Sequence, residues 1–153
     1  MFYLGDNRLK VRKASLKDID QIWEVEKASF QTPWSRESFS NELTQNKFAY
    51  YYVVEMEKEI VGYGGMWVIF DEAHITNVAI HPKARGKKLG ELIMRHLIFQ
   101  AKFYGATSMT LEVRKSNYVA RALYNKLNFE QQGIRINYYA DTMEDAIIMW
   151  VKL

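Results

Sequence analysis

The residues best suited to chemistry lie between Ala73 and Gly90, in the run AHITNVAIHPKARGKKLG. Arg85, Lys87 and Lys88 gather three cations beside Gly86 and Gly90, just after a strand-like run (His74 to Ile80) and His81-Pro82. A helix pattern begins near Gly90. Unpaired N–H groups at a helix start point outward, and the helix dipole favours negative charge there. Strand, glycine loop and helix could therefore aim loop amides and three side chains at one anion, such as a phosphate. A basic surface turn between a strand and a helix would use the same residues. Glu112 is a second point of interest, on an alternating strand that follows the first through one helix, although spacing alone favours an ordinary solvent-facing residue there. Asn117 could cap the next helix, and Tyr124 on its apolar side reads most simply as a core aromatic.

The elements that must position these residues follow from hydrophobic period. Leu9 and Val11 alternate with charged residues from Arg8 to Lys13, as in a half-buried strand. Ser15-Leu16-Lys17-Asp18 reads as a capping box with Asp in place of Glu, so a helix is expected to start there. Ile19, Ile22, Trp23, Glu26 and Phe30 then keep helical spacing, with Glu26 the one polar interruption. Thr32-Pro33-Trp34-Ser35 ends that helix. Ser35 can cap a short second one whose buried edge is Phe39 and Leu43.

Phe48 to Glu55 and Ile60 to Phe70 are rich in aromatic and β-branched residues, and Met56 to Glu59 supply a polar turn. The pair predicts an antiparallel hairpin. Gly62, Gly64 and Gly65 would weaken its second strand unless a bulge or a close neighbour needs the space. Asp71-Glu72 turns the chain into the strand that precedes the basic loop. After Gly90, the residues Leu92, Ile93, Leu97, Ile98 and Ala101 give helix spacing, and Gly105 suits a helix C′ position. Ser108 to Val113 alternates, Asn117 to Leu127 reads as a short helix, and Phe129 to Tyr139 and Asp145 to Val151 as strands. The order β-α-α-β-β-β-α-β-α-β-β predicts one mixed α/β domain over residues 1–153. The strands on either side of the basic-loop helix form a βαβ unit, so they should be parallel with a right-handed crossover. Ligands in such sheets bind at the C-terminal ends of strands, and Glu112 is near one.

Composition narrows the field. Nearly half of the 153 residues are apolar and a quarter are charged, as in ordinary globular domains. The absence of cysteine excludes disulfides, thiolate zinc sites and a cysteine nucleophile. No apolar run reaches a signal peptide or a membrane span, so a cytoplasmic protein is expected, with no membrane partner. A net charge of +3 is mild and fits an anionic cofactor, an anionic partner such as RNA, or neither; with no long lysine or arginine block, nucleic-acid binding is not expected as the main function.

Taken together, Asn77-Val78-Ala79-Ile80-His81-Pro82, the Arg85–Gly90 loop, Leu111-Glu112-Val113-Arg114-Lys115-Ser116-Asn117, Ala122-Leu123-Tyr124 with Asn128-Phe129, and Arg135-Ile136-Asn137-Tyr138-Tyr139 followed by Glu144-Asp145-Ala146 form a pattern. It resembles the GNAT superfamily of acetyl-CoA-dependent N-acetyltransferases over essentially the whole chain. The complete LEVR-x-SN run and the last block resemble the RimI type, which acetylates the N-terminal alanine of a small-subunit ribosomal protein. The resemblance implies a central, mostly antiparallel sheet, a parallel pair splayed around acetyl-CoA, and flanking helices.

It also implies roles. Val78, Ala79 and Ile80 would pair with the pantetheine arm as an added strand would. Arg85, Gly86, Lys87, Lys88, Leu89, Gly90 and Glu91 would wrap the pyrophosphate, and Asn117 would touch the CoA chain. Glu112 would be the general base and Tyr124 the general acid. Arg135, Tyr138 and Tyr139 would shape the peptide entrance, and no metal is implied. The family loop usually carries glycine where this chain has Lys88. A side chain at that position would cost about 1–2 kcal/mol if the backbone must be left-handed. Such a loss could leave a weak or purely CoA-binding relative, and a different entrance could admit lysine, a polyamine or an antibiotic instead.

Overall fold

The computed structural model describes residues 2–3 and 8–153. The chain runs β1 (Phe2–Tyr3), β2 (Leu9–Lys13), α1 (Ile19–Ser29), α2 (Arg36–Thr44), β3 (Ala49–Met56), β4 (Glu59–Ile69), β5 (Glu72–Ile80), α3 (Leu89–Phe103), β6 (Ser108–Arg114), α4 (Tyr118–Lys126), β7 (Glu130–Tyr139) and β8 (Glu144–Lys152). The strands form one sheet in the order β1-β2-β3-β4-β5-β6-β8-β7. Every neighbouring pair is antiparallel except β5 and β6, which are parallel as the βαβ unit requires. The expected order of elements holds, with β1 as an addition.

Alternation along β3 builds two cores on opposite faces of the sheet. Tyr52 and Val54 join Ile93, Met94 and Leu97 of α3 with Met109, Leu111, Ile147 and Met149 of the far strands. Tyr51 and Val53 join Ile22 and Val25 of α1, Phe39 of α2 and Tyr63 of β4. The β4 glycines mark where these layers press closest. A Cβ on Gly65 would collide with the Tyr51 ring, and one on Gly64 would lie 2.9 Å from both Ile93 and Leu97. Close neighbours therefore need the space.

Local signals explain most boundaries. The Asp18 carboxylate accepts from the Ser15 N–H at 2.8 Å, as the box predicts, although the chain makes one 3₁₀ turn (Leu16–Asp18) before α1 begins. Ser35 caps α2 by accepting from the Ser38 N–H at 3.1 Å. The hairpin turn is tighter than expected. The strands extend to Met56 and Glu59, and Glu57 and Lys58 take φ of 52° and 68°, the left-handed pair that a two-residue connection needs. Gly105, with φ of 93°, follows α3 as predicted.

Candidate active site

The sheet is split where the parallel pair stops. β5 and β6 are paired only at Glu72–Ser108, Ala73–Met109 and His74–Thr110. Beyond these, β6 stays in register with β8 along its whole length. β5 instead follows β4 through an irregularity between Gly65 and Met66. From Ile75 onward, β5 has β4 on one side and an opening on the other. The opening is a cavity of about 380 Å³ between Ile75–Val78 and Leu111–Arg114, with Asn117 and Tyr124 of the α4 segment and Tyr138 and Tyr139 of β7 also on its wall. Sequence spacing left Glu112 and Tyr124 as separate ambiguous residues, and the fold brings them to the same cavity.

Glu112 is held from two sides. His74 Nε2 lies 2.7 Å from its Oε2, and Arg135 Nε lies 3.5 Å from its Oε1. The His74 hydrogen bond lowers its pKa below the usual glutamate value against the opposing effect of burial, and Arg135 adds to the lowering. Glu112 is thus an anion at neutral pH. Tyr124 is the opposite case: burial pushes its phenol up to about 12, with nearby Tyr139 adding to the shift, so the hydroxyl keeps its proton. One cavity therefore holds a carboxylate ready to accept a proton and a phenol able to give one.

Asn117 serves as the cap of α4, its side chain accepting from the Ala120 N–H at 3.2 Å, and it also borders the cavity. Across from it, the register of β7 against β8 breaks between Arg135 and Tyr139, around Asn137 with φ of 54°. That irregularity lies beside Tyr138 and Tyr139. Arg135 sits 5.9 Å from the Tyr138 ring centroid, and Arg114 packs 4.1 Å from that of Tyr139.

The basic loop lies at the open end of β5. Arg85 donates through Nε to the Ile80 carbonyl at 3.0 Å, and the His81 ring accepts from the Lys83 N–H at 3.2 Å. Gly86 has φ of 82°, and Lys88, immediately before α3, sits at φ 61° and ψ 26°. The conformation that the usual glycine would favour is therefore kept, with a lysine in it. Relieving that strain should outweigh the extra entropy of a glycine in the unfolded chain. Lys88→Gly is expected to stabilise the fold by about 0.5–1 kcal/mol. A scan of thermal unfolding should show Tm rising by roughly 1–4 °C. Glu91, in the first turn of α3, has its carboxylate taken up by Arg95 at 2.9 Å and Lys126 at 2.7 Å. Its negative charge is thereby partly neutralised near the loop.

The free edge of β5, through Val78, Ala79 and Ile80, runs directly into this loop. The arrangement fits a long, thin ligand with an anionic end: a strand edge for an amide-bearing arm, then amides and cations for phosphates.

Two residues of the site were not foreseen as functional. His74 gives no local signal, because its contact with Glu112 depends on the register of strands 38 positions apart. Glu26 did give one, as the polar break in an apolar stripe. It is 2% exposed, accepts from the Trp34 N–H at 2.9 Å and from the Tyr63 hydroxyl, and borders the cavity. Burial raises its pKa above the usual glutamate value.

This geometry has counterparts in known proteins. Residues 19–129 match the Acetyltransferase (GNAT) family, and the chain belongs to that family. It is an acetyl-CoA-dependent N-acetyltransferase. A Bacillus subtilis protein provisionally named a ribosomal protein bS18-alanine N-acetyltransferase is 46% identical over 94% of this chain and 95% of its own length. The Salmonella typhimurium protein of that name is 34% identical, over 88% of this chain and 91% of its own length. The crystal structure of the ribosomal-protein-S18-alanine N-acetyltransferase from Escherichia coli superposes with a TM-score of 0.87 at 30% identity, covering 94% of this chain and 93% of that one. Among the described residues, no helix is long and apolar enough to cross a membrane.

Proposed function

We propose that this protein transfers the acetyl group of acetyl-CoA to the α-amine of an N-terminal alanine, on a small-subunit ribosomal protein of the bS18 kind, in the cytoplasm. The observation that carries the reading is the pairing of an ionised Glu112 and a protonated Tyr124 on one cavity, next to an open strand edge that leads into a basic loop. The names of the similar proteins supply the acceptor.

Val78, Ala79 and Ile80 offer backbone groups to the pantetheine arm and help polarise the thioester carbonyl. Gly86 to Glu91, with Arg85, receive the pyrophosphate, and Asn117 borders the chain between. Glu112 takes the proton that the amine sheds as its nitrogen bonds to the acetyl carbon. Tyr124 gives its proton to the departing thiolate. Arg135, Tyr138 and Tyr139 form the side through which the peptide comes. No cysteine is present to carry an acyl-cysteine intermediate, and the simplest scheme has the amine attack the thioester directly with both substrates bound.

An α-amine suits this site because its pKa is about 7.7–8.0, against about 10.4 for lysine, so a useful fraction is neutral at pH 7. The test is mass spectrometry of a peptide with N-terminal alanine after incubation with acetyl-CoA. An acetyl group at the α-amine is expected. Acetylation only at lysine side chains or small amines would overturn the assignment.

The pH dependence follows from the same groups. Glu112 is already ionised well below neutrality, so its titration cannot set the acid limb. The acid limb belongs to the substrate amine. kcat/KM should climb about tenfold per pH unit below the amine pKa and level off above about pH 8. With the Tyr124 phenol at about 12, no basic limb is expected up to pH 10. A bell centred near pH 7 in steady-state rates would contradict this.

A further inference from the structure

His74 occupies the last paired position of β5, opposite Thr110, at the vertex where the two parallel strands part. There the backbone ladder ends and a side-chain bond continues it: His74 Nε2 of β5 to Glu112 Oε2 of β6, at 2.7 Å. A carboxylate only accepts, so the imidazole nitrogen in this pair carries the hydrogen. Trp67 of β4 stands beside the ring, tilted at 63° with centroids 6.0 Å apart. With Oε2 committed to His74 and Arg135 3.5 Å from Oε1, the carboxylate plane is fixed relative to the opening. A free glutamate would spread over several rotamers, most of which would not face a bound amine.

We propose that His74 is the positioning residue for Glu112: its Nε2–H spans the vertex of the split sheet and holds the carboxylate in the orientation that meets the substrate amine. This rests on the function proposed above and adds a residue to it. His74 does not touch the substrate. It acts through Glu112, much as an outer hydrogen bond orients a ligand or a base at other sites. Misplacement of a reacting group by about 1 Å can cost up to about 10²-fold in rate, which bounds the effect.

The test compares His74→Ala with His74→Gln, whose side-chain amide can offer an N–H over a similar reach. Rates are measured with acetyl-CoA and an N-terminal alanine peptide. His74→Ala should lower kcat about tenfold or more, leave the KM for acetyl-CoA within about twofold, and leave the far-ultraviolet circular dichroism spectrum unchanged. His74→Gln should recover most of the lost kcat. A purely structural role would instead impair both variants alike or change KM and the spectrum together, and either result overturns the proposal. So does a His74→Ala enzyme with wild-type kcat. If the wild-type protein acetylates no alanine peptide, the proposed function fails first. If it does and His74→Ala matches it, only the positioning role falls.

Discussion

Glu112→Gln should lower kcat by about 10²–10⁴-fold with little change in the KM for acetyl-CoA, the range expected when a positioned base is lost. Glutamine keeps the size of the side chain and an oxygen that can still accept from His74, so the cavity wall between β5 and β6 should stay in place. What disappears is the negative charge and the ability to take a proton. Raising the pH should not restore the rate. Deprotonating the free amine makes attack possible, but the nitrogen becomes positive as it bonds to carbon and must still shed a proton to something. Steady-state rates with an alanine peptide across pH 6–9 provide the check. A variant matching the wild type throughout would remove Glu112 from the role of base.

Tyr124→Phe is the second large effect, and a smaller one: about 10–10²-fold in kcat. An alkyl thiol has a pKa near that of cysteine, about 8.5, so the thiolate is already a tolerable leaving group and needs less help than an alkoxide would. The substitution removes one hydroxyl from a residue 9% exposed, next to the Phe129 ring at 5.8 Å, and leaves the packing of α4 otherwise intact. Acetyl-CoA affinity by titration calorimetry should be unchanged. Unaltered turnover at pH 6–9 would show that the thiolate leaves unaided or takes its proton elsewhere.

Much of this architecture was legible in the residues. The βαβ unit required a parallel pair, and β5 and β6 are one. The alternation of Ser108 to Val113 put Met109, Leu111 and Val113 in the core and Glu112 on the other face, where it is found. Asn128, a residue type that tolerates a left-handed backbone, has φ of 70°. The loop around Lys88 posed the question of positive φ, which the backbone answers.

What could not be read is register. Nothing local in β5 says that its pairing with β6 lasts three residues, because the release depends on β4 and β8 each holding a different strand. The Glu112–His74 contact hangs on that release, so it was hidden as well. Polarity misled in α3, where His96 was passed over among apolar positions yet lies 2% exposed, its ring edge-on to Tyr52 at 4.5 Å. Burial lowers its pKa to about 4, and a neutral imidazole packs there as an aromatic would. In α1, the same bias made Glu26 an interruption, although it ties the α1–α2 connection to β4.

The unpaired inner edge of β5 has a thermodynamic corollary. A strand in mid-sheet with nothing alongside it is an unfinished wall, and on the proposed docking the pantetheine amides complete it. Loading and folding then share one free energy. At a hundred times its Kd, a ligand that binds only the native chain adds about 2.7 kcal/mol, a large share of the roughly 5–15 kcal/mol that holds a typical domain together. The empty enzyme should accordingly be the form that heat and proteases attack, and the cell's supply of acetyl-CoA would help set how long each copy lasts.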